Sequence, residues 1–193
     1  MAVYTKISKK DISYINSKFD IEKLISFQGI KQGIENTNYL LKSKKNKFIL
    51  TIFEKRVSDK ELPFFMQLMQ ILNHYKINCP KPIKNNEGSY LINLKNKKAC
   101  IVTFLEGKDK KNLNIKNCFE IGKIIARMHS ITKNIKLYRK NSMGISNLNP
   151  LLKLIMVKSK KFKYLEKFLK DNLNNVKKKW PKNLPKGVIH GDL

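Results

Sequence analysis

Acidic residues are scarce in this 193-residue chain: 14 Asp+Glu stand against 41 Lys+Arg, for a formal net charge of +27. Arginine is scarcer still, at three positions (Arg56, Arg127, Arg139). That argues against a dedicated nucleic-acid reader, because the planar guanidinium fork is what grips phosphates and guanine edges in bidentate fashion. Cysteine occurs three times, at Cys79, Cys100 and Cys118. The odd number and wide spacing fit reduced cytosolic thiols packed as small core residues better than a disulfide frame or a zinc site. The longest apolar run, Ala99 to Leu105, has seven residues, far short of the roughly 20 that cross a bilayer. The opening Met1-Ala2-Val3-Tyr4-Thr5-Lys6 lacks the apolar centre of a secretory signal. Glycine and proline together number only 14, and 41% of residues are hydrophobic, which excludes disorder despite the charge.

What is abundant is lysine, with asparagine and isoleucine: the three account for 82 of the 193 residues, a bias that AT-rich coding sequence produces. The lysines are spread along the whole chain and read as solvated surface. Between them lies an ordered alternation of elements. An apolar stretch from Leu24 to Ile30 runs into Gly29 and Gly33. Asn38–Lys42 and Phe48–Phe53 are two further strands around a Lys44-Lys45-Asn46 turn, and three strands in quick succession imply an antiparallel meander. Ser58 or Asp59 caps a helix carrying Leu62, Phe65, Met69 and Leu72, with Pro63 in its first turn and an end near Tyr75 before Cys79-Pro80-Lys81-Pro82. Ser89–Leu94 and Ala99–Leu105 then make a second strand pair.

Character changes after Glu106-Gly107. Asn114 caps a helix with Cys118, Ile121, Ile125 and Met128 on one face and the small Gly122 and Ala126 on a face that permits close packing. Asn149-Pro150 reads as a cap followed by proline at the first helical position. Helical pattern then runs from Leu151 to about Val176, with a break near Lys158-Ser159-Lys160. At the end, Val188-Ile189 starts a short buried strand that delivers His190-Gly191-Asp192. A strand followed by His-x-Asp on a turn is how kinase-like phosphotransferases present a catalytic aspartate to an acceptor hydroxyl, in a reaction where positioning and charge stabilisation carry most of the barrier reduction.

The stretches Ser26-Phe27-Gln28-Gly29-Ile30, Gly33-Ile34-Glu35-Asn36-Thr37-Asn38-Tyr39 and Phe48 through Val57 resemble the aminoglycoside-phosphotransferase-type kinases, and within them the bacterial homoserine kinases. So, in the family's order, do Leu62-Pro63-Phe64-Phe65, Cys79-Pro80-Lys81-Pro82, Ile101 through Gly107, and Leu184 through Leu193. The resemblance implies an α+β, protein-kinase-like bilobal fold. Residues 1–105 would form an ATP-binding lobe, an antiparallel five-stranded sheet plus a helix. Residues 106–193 would form an incomplete helical lobe ending in the catalytic loop. It further implies a cytoplasmic enzyme that uses ATP and Mg2+ to phosphorylate the hydroxyl of L-homoserine in threonine biosynthesis, with no specific nucleic-acid partner and no membrane. Family members continue with an Asn shortly after the Asp and later an Asp-aromatic pair, both magnesium ligands. Those ligands are expected beyond Leu193, so none is assigned within this chain. On that reading the chain is a catalytically inactive fragment, with the apolar faces of Phe119–Met128 and Leu151–Leu169 uncovered. The residues alone leave the acceptor open among homoserine, choline, aminoglycoside and methylthioribose types, and leave a lysine-rich nucleic-acid-binding module as the alternative from another class.

Individual residues follow from that frame. The Gly29–Asn38 segment read alone is a hairpin loop, since Gly and Asn are common in turns. Set in this lobe it is a phosphate loop, in which Gly29, Gly33 and Asn36 let backbone N–H groups approach and Thr37 and Asn38 supply side chains. Phe104 and Leu105 would offer backbone groups to adenine. The slot that usually holds a strand-three lysine holds Thr51, which leaves Lys55, Arg56 or a solvated strand end as the readings downstream. Glu61 is a counterpart of the helix glutamate or simply a favourable charge at a helix start. His129 is a structural histidine at a helix C-terminus, and His74 is a surface residue. Asp192 would accept or orient the acceptor's proton, and His190 would brace its loop.

Overall fold

The computed structural model describes residues 3–55, 57–107, 110–142, 144–158 and 160–191. The chain runs α1 (Lys9–Lys18), β1 (Ser26–Gly29), β2 (Thr37–Lys42), β3 (Lys47–Ile52), a 3-10 turn (Asp59–Glu61), α2 (Leu62–His74), β4 (Ile92–Leu94) and β5 (Lys97–Thr103). The helical remainder is α3 (Ile115–Thr132), α4 (Ile145–Lys158), a 3-10 segment (Lys160–Leu165) and α5 (Glu166–Lys179). By contacts the described chain falls into two units, one holding every strand with α1 to α3, the other being Tyr138–Val188. No helix among the described residues is long and apolar enough to cross a membrane.

The five strands form one sheet of order β1-β2-β3-β5-β4, antiparallel throughout. Strand alternation divides its side chains between two covers. Tyr39, Leu41, Phe48, Leu50, Ile52, Ala99 and Ile101 meet Ile12, Ile15 and Phe19 of the α1 region. Their neighbours in sequence, Ile49, Phe53, Cys100 and Val102, meet Phe65, Met66 and Met69 of α2. A third cluster joins α2 to α3 through Leu72, Ile77 and Met128. There α2 ends with Lys76 in the left-handed region at φ 57°. The Ile77 N–H returns to the Leu72 carbonyl at 2.9 Å, a Schellman closure with its usual apolar contact.

Helix α1 has no counterpart in the sequence reading. It begins with a capping box in which Asp11 accepts from the Ser8 N–H at 2.7 Å, and the Asp11 N–H reaches Ser8 Oγ at 3.4 Å. Ile12, Ile15 and Phe19 supply its buried stripe. Elsewhere the sheet and α2 lie where the pattern puts them, α2 entered through Ser58, whose N–H and hydroxyl both bond Glu61 Oε2, and with Pro63 in its first turn. The strand expected from Ser89 shrinks to Ile92–Leu94. Ser89 Oγ bonds both the N–H and the carbonyl of Leu91, and the Ser89 N–H goes to Asn85 Oδ1, so local side-chain bonds displace the ladder.

The helical part corrects four expectations. Asn149 is not a cap: α4 starts at Ile145, where Asn147 bonds the Gly144, Asn141 and Ser142 carbonyls, and Pro150 sits inside the helix. Proline that early in a helix forfeits a single i to i−4 bond. In α3, capped by Asn114 through Asn117, Met128 is buried but Cys118 is exposed, and a Cβ on Gly122 would meet nothing within 4 Å. The close-packing face is therefore open among the described residues. Residues 180–191 carry no strand, and Ile189 is 62% exposed, because among the described residues no partner strand pairs with it. As expected, the helical faces are uncovered, with Phe119, Ile124, Leu151, Val157 and Phe168 all exposed. Of the break expected near Lys158-Ser159-Lys160, α4 ends at Lys158 and the 3-10 segment begins at Lys160, while Ser159 lies outside the described residues.

Because Ile15 is fully buried at the centre of the α1 cover, Ile15→Ala is expected to cost about 2–5 kcal/mol of unfolding free energy. A urea midpoint indistinguishable from that of the parent chain would show that α1 does not close the sheet.

Candidate functional site

The loop between β1 and β2 is held at both ends. At its base the Ile30 N–H donates to the Asn38 carbonyl at 2.9 Å. At its turn Gly33 adopts φ 96°, a conformation that side chains with a Cβ rarely take. Gly29 is half-buried, and a Cβ there would lie 2.9 Å from Val3 Cγ2. The Asn36 side-chain oxygen accepts from the Glu54 N–H at 3.4 Å.

Thr37 and Asn38, adjacent in sequence, point to opposite faces. Thr37 is fully buried on the α1 face. Its hydroxyl accepts from the N–H groups of Tyr4 (2.9 Å) and Thr5 (3.1 Å) and donates to Glu54 Oε1 at 2.6 Å. The hydroxyl is thus engaged within the fold. Asn38 lies on the α2 face, directly across from Thr51 in the β2–β3 register, and its Oδ1 accepts from the Thr51 hydroxyl at 2.8 Å. With its oxygen engaged by the Thr51 hydroxyl, the Asn38 amide keeps its NH2 as a donor.

Glu54, just past the end of β3, is the residue on which most of these bonds converge. Its carboxylate takes hydrogen bonds from Thr37, Thr5 and Lys97, and Lys97 also donates to Thr5 Oγ1 at 2.7 Å. The carboxylate is 10% exposed and the Lys97 side chain 31%. Burial alone would raise the Glu54 pKa. The hydrogen bonds from Lys97, Thr37 and Thr5, with the Lys97 charge, overcome that and hold it below its ordinary value.

At the far end of β5, Phe104 gives its N–H to the Lys47 carbonyl at 3.4 Å, and the Lys47 ammonium lies 5.3 Å from its ring centroid while pairing with Glu106. Leu105 is 38% exposed. In the register, the loop end of β2 meets Ile52 and Ala99, whereas Phe104 follows Thr103, opposite Phe48. The two parts of the candidate site therefore sit at opposite ends of one sheet, about 16 Å apart by strand rise.

The remaining candidates fall out as follows. Lys55 is exposed three residues past the end of β3, and Arg56 lies outside the described residues. Glu61 closes the cap with Ser58. His129 occupies the last turn of α3, and His74 is exposed against Tyr75. Cys100 is buried, its thiol pushed up to about 12 by desolvation, and Cys79 is half-buried with Asn73 Nδ2 3.1 Å from its sulfur. His190 is exposed, and Asp192 lies outside the described residues. Among the described residues no group of three or more His, Cys, Asp or Glu is placed to hold a metal ion. The sequence reading missed Tyr4, Thr5, Glu54 and Lys97. Glu54 left a faint signal, as a lone acid closing an apolar strand in an acid-poor chain; Lys97 left none among so many lysines.

Residues 26–193 match the model of the phosphotransferase enzyme family. The chain is 38% identical to the homoserine kinase of Bradyrhizobium diazoefficiens, 37% to that of Paramagnetospirillum magneticum and 38% to that of Bartonella tribocorum. Each match covers 100% of this chain and 60 to 61% of the relative, so the chain spans about 60% of the length of these curated relatives. Among solved structures, spectinomycin phosphotransferase in complex with ADP and spectinomycin superposes with a TM-score of 0.67 at 16% identity, over 98% of this chain and 64% of that one. A microcompartment-associated aminopropanol kinase superposes at 0.57 and 12% identity, over 77% and 55%.

Since the Glu54 pKa is lower folded than unfolded, the ion pair's stabilisation is full above the ordinary value of 4.5 and fades as pH falls through the folded value. Lys97→Met is expected to lose about 1–3 kcal/mol near pH 7. Its deficit against the parent should shrink in acid below pH 4.5; urea titrations in which the deficit stays constant down to pH 2 would contradict this account.

Proposed function

The chain belongs to the phosphotransferase enzyme family, and from that premise we propose that it is the ATP-binding lobe and the beginning of the helical lobe of a cytoplasmic kinase for the hydroxyl of L-homoserine. The observation that carries the acceptor is the 37–38% identity to three homoserine kinases over the whole chain, rather than over the nucleotide lobe alone. The residues by themselves support transfer to a small alcohol.

In this reading residues 1–105 are the ATP-binding lobe and residues 106–193 the partial helical lobe, and the site divides along the sheet. Backbone N–H groups of the Gly29–Asn38 loop, with Gly33 and Asn36 shaping it, meet the phosphates of ATP. Phe104 and Leu105 meet its base with backbone groups. A nucleotide, charged at one end and flat at the other, suits two contact regions at opposite ends of a strand. Thr37 shapes the loop from behind, while Asn38 is the side chain that can donate toward the nucleotide. Thr51 stands where related kinases carry a lysine, and its hydroxyl bond leaves the Asn38 amide nitrogen as the available donor. Asp192 orients the homoserine hydroxyl and accepts its proton, and His190 braces that loop. Magnesium neutralises phosphate charge in reactions of this kind. The resemblance puts the family's magnesium ligands beyond Leu193, and no residue of this chain is assigned to hold the metal.

The decisive measurement is ADP release in a coupled assay, on this chain and on a version extended to the relatives' length. Homoserine-dependent turnover by the extended protein, with little by the 193-residue chain and little with choline, aminoglycoside or methylthioribose, is the expected result. Equal turnover by both proteins would refute the assigned metal site, and preference for another acceptor would refute homoserine. At Thr51 the nucleotide reading predicts that Thr51→Val weakens ADP binding about three- to tenfold, the worth of one neutral hydrogen bond. Thr51→Ser should retain affinity; a valine variant that binds ADP like the parent would remove Asn38 from the site.

A further inference from the structure

The residues ahead of α1 carry a feature that the family assignment does not explain. Val3, Tyr4 and Thr5 pass along the β1–β2 loop and touch it at its start, its middle and its end. Val3 occupies the space that a Cβ on Gly29 would need, with Cγ2 2.9 Å from that position. The Tyr4 hydroxyl donates to the Ile34 carbonyl at 3.0 Å. The Tyr4 and Thr5 N–H groups both donate to Thr37 Oγ1. Thr5 is in turn fixed from the other side, its hydroxyl donating to Glu54 at 2.8 Å and accepting from Lys97 at 2.7 Å. Its carbonyl takes the Tyr39 hydroxyl at 3.0 Å, and that hydroxyl also accepts the Ile7 N–H at 3.3 Å.

We propose that Val3–Thr5 is a strap that sets the conformation of the loop from residue 30 to residue 37, and that Tyr4 is a positioning residue for nucleotide binding. The proposal rests on the reading of that loop as the phosphate loop. The physical case is that the strap has anchors outside the loop. Thr5 is 8% exposed, and besides its N–H bond to Thr37 its hydroxyl is held by Glu54 just past β3 and Lys97 of β5, and its carbonyl by Tyr39 of β2, elements held by the sheet itself. The loop at Ile34 is by contrast 82% exposed and has no apolar packing to define it. A loop whose N–H groups must converge on phosphates gains from any contact that removes alternative conformations before the ligand arrives, since ordering it on binding would weaken affinity. The Tyr4 hydroxyl is placed to do this: by holding the Ile34 carbonyl it fixes that peptide plane, whose N–H points opposite to its C=O. Tyr4 is itself 56% exposed, so the fold does not need its ring, and the loop contact is the role its hydroxyl has.

The test removes that one hydroxyl. In Tyr4→Phe, amide hydrogen exchange at residues 31–36 is expected to accelerate while exchange in β2, β3 and α1 is unchanged. ADP affinity by calorimetry should fall about three- to tenfold at an unaltered thermal midpoint. A second pair of variants reads the same strap by clash and relief. Gly29→Ala should weaken ADP binding by pressing on Val3, and adding Val3→Ala should restore it. Parent-like exchange at residues 31–36 and parent-like ADP affinity in Tyr4→Phe would overturn the strap. A thermal midpoint that falls with exchange rising everywhere would reduce Tyr4 to a structural residue and overturn its positioning role. An unmodified chain that does not bind ADP would overturn instead the nucleotide reading on which the proposal rests; in that case the exchange rates alone would still register whether the loop is strapped.

Discussion

The Glu54 carboxylate is the constraint on which the sheet end of this protein depends. It is nearly buried, so it would be costly if unpaired, and its bonds go to three separate stretches of chain: Thr5 before α1, Thr37 at the start of β2 and Lys97 at the start of β5. Its own N–H adds a fourth tie, to Asn36. Hydrophobic burial determines that α1 covers one face of the sheet, but burial is non-directional and would tolerate a sliding approach. A buried charge with directional partners does not tolerate it. The polar knot therefore sets the register of the N-terminal segment against the loop.

That knot also accounts for the opposite fates of two neighbouring residues. Strand alternation sends Thr37 to the α1 face and Asn38 to the α2 face, and each face has its own chemistry there. On the α1 side the hydroxyl is absorbed by Glu54 and the strap. On the α2 side Asn38 meets Thr51, a small polar pair at the edge of a face otherwise made of Ile49, Phe53, Cys100 and Val102. A lysine at position 51 would bring a charge to that face. The threonine brings a hydroxyl that orients an amide. On the proposed nucleotide reading, an oriented amide and a strapped loop in place of a cation keep the positioning and give up part of the charge.

The helical portion obeys the same physics with less to work with. Met128 and Thr132 of α3 are buried and Arg127 ties the helix to the end of α2 through the Tyr75 carbonyl, but Ile115, Phe119 and Ile124 are exposed. In Tyr138–Val188 the helices α4 and α5 carry Leu151, Val157 and Phe168 in the same condition. Helix stability comes mainly from packing an apolar face, and among the described residues these faces are uncovered. The lysines do not change this, being exposed charge that raises solubility without specifying a fold.

Much was legible in the sequence because it rests on local pattern. Alternation at Phe48–Ile52, three-and-four spacing from Leu62 to Leu72, Pro63 in a first turn and Asn114 as a cap are each readable within a few residues, and the antiparallel order follows from short connections. Helix α1 carries equally local signals in Ser8, Asp11, Ile12, Ile15 and Phe19, diluted by the lysines among them. The strand expected at Val188-Ile189 and the cap expected at Asn149 failed for a different reason: an apolar pair makes a strand only where a ladder partner exists, and a proline marks a helix start only if nothing upstream nucleates one first. Local pattern settles which stretches alternate, which coil and where glycine is required. Long-range packing settles that Thr37 bonds within the fold while Asn38 meets Thr51, that Lys97 out of so many lysines meets Glu54, and that Tyr4 reaches Ile34. Those outcomes depend on residues from 13 to 43 positions apart becoming neighbours, and no local pattern encodes which of many chemically identical side chains will be the one that arrives.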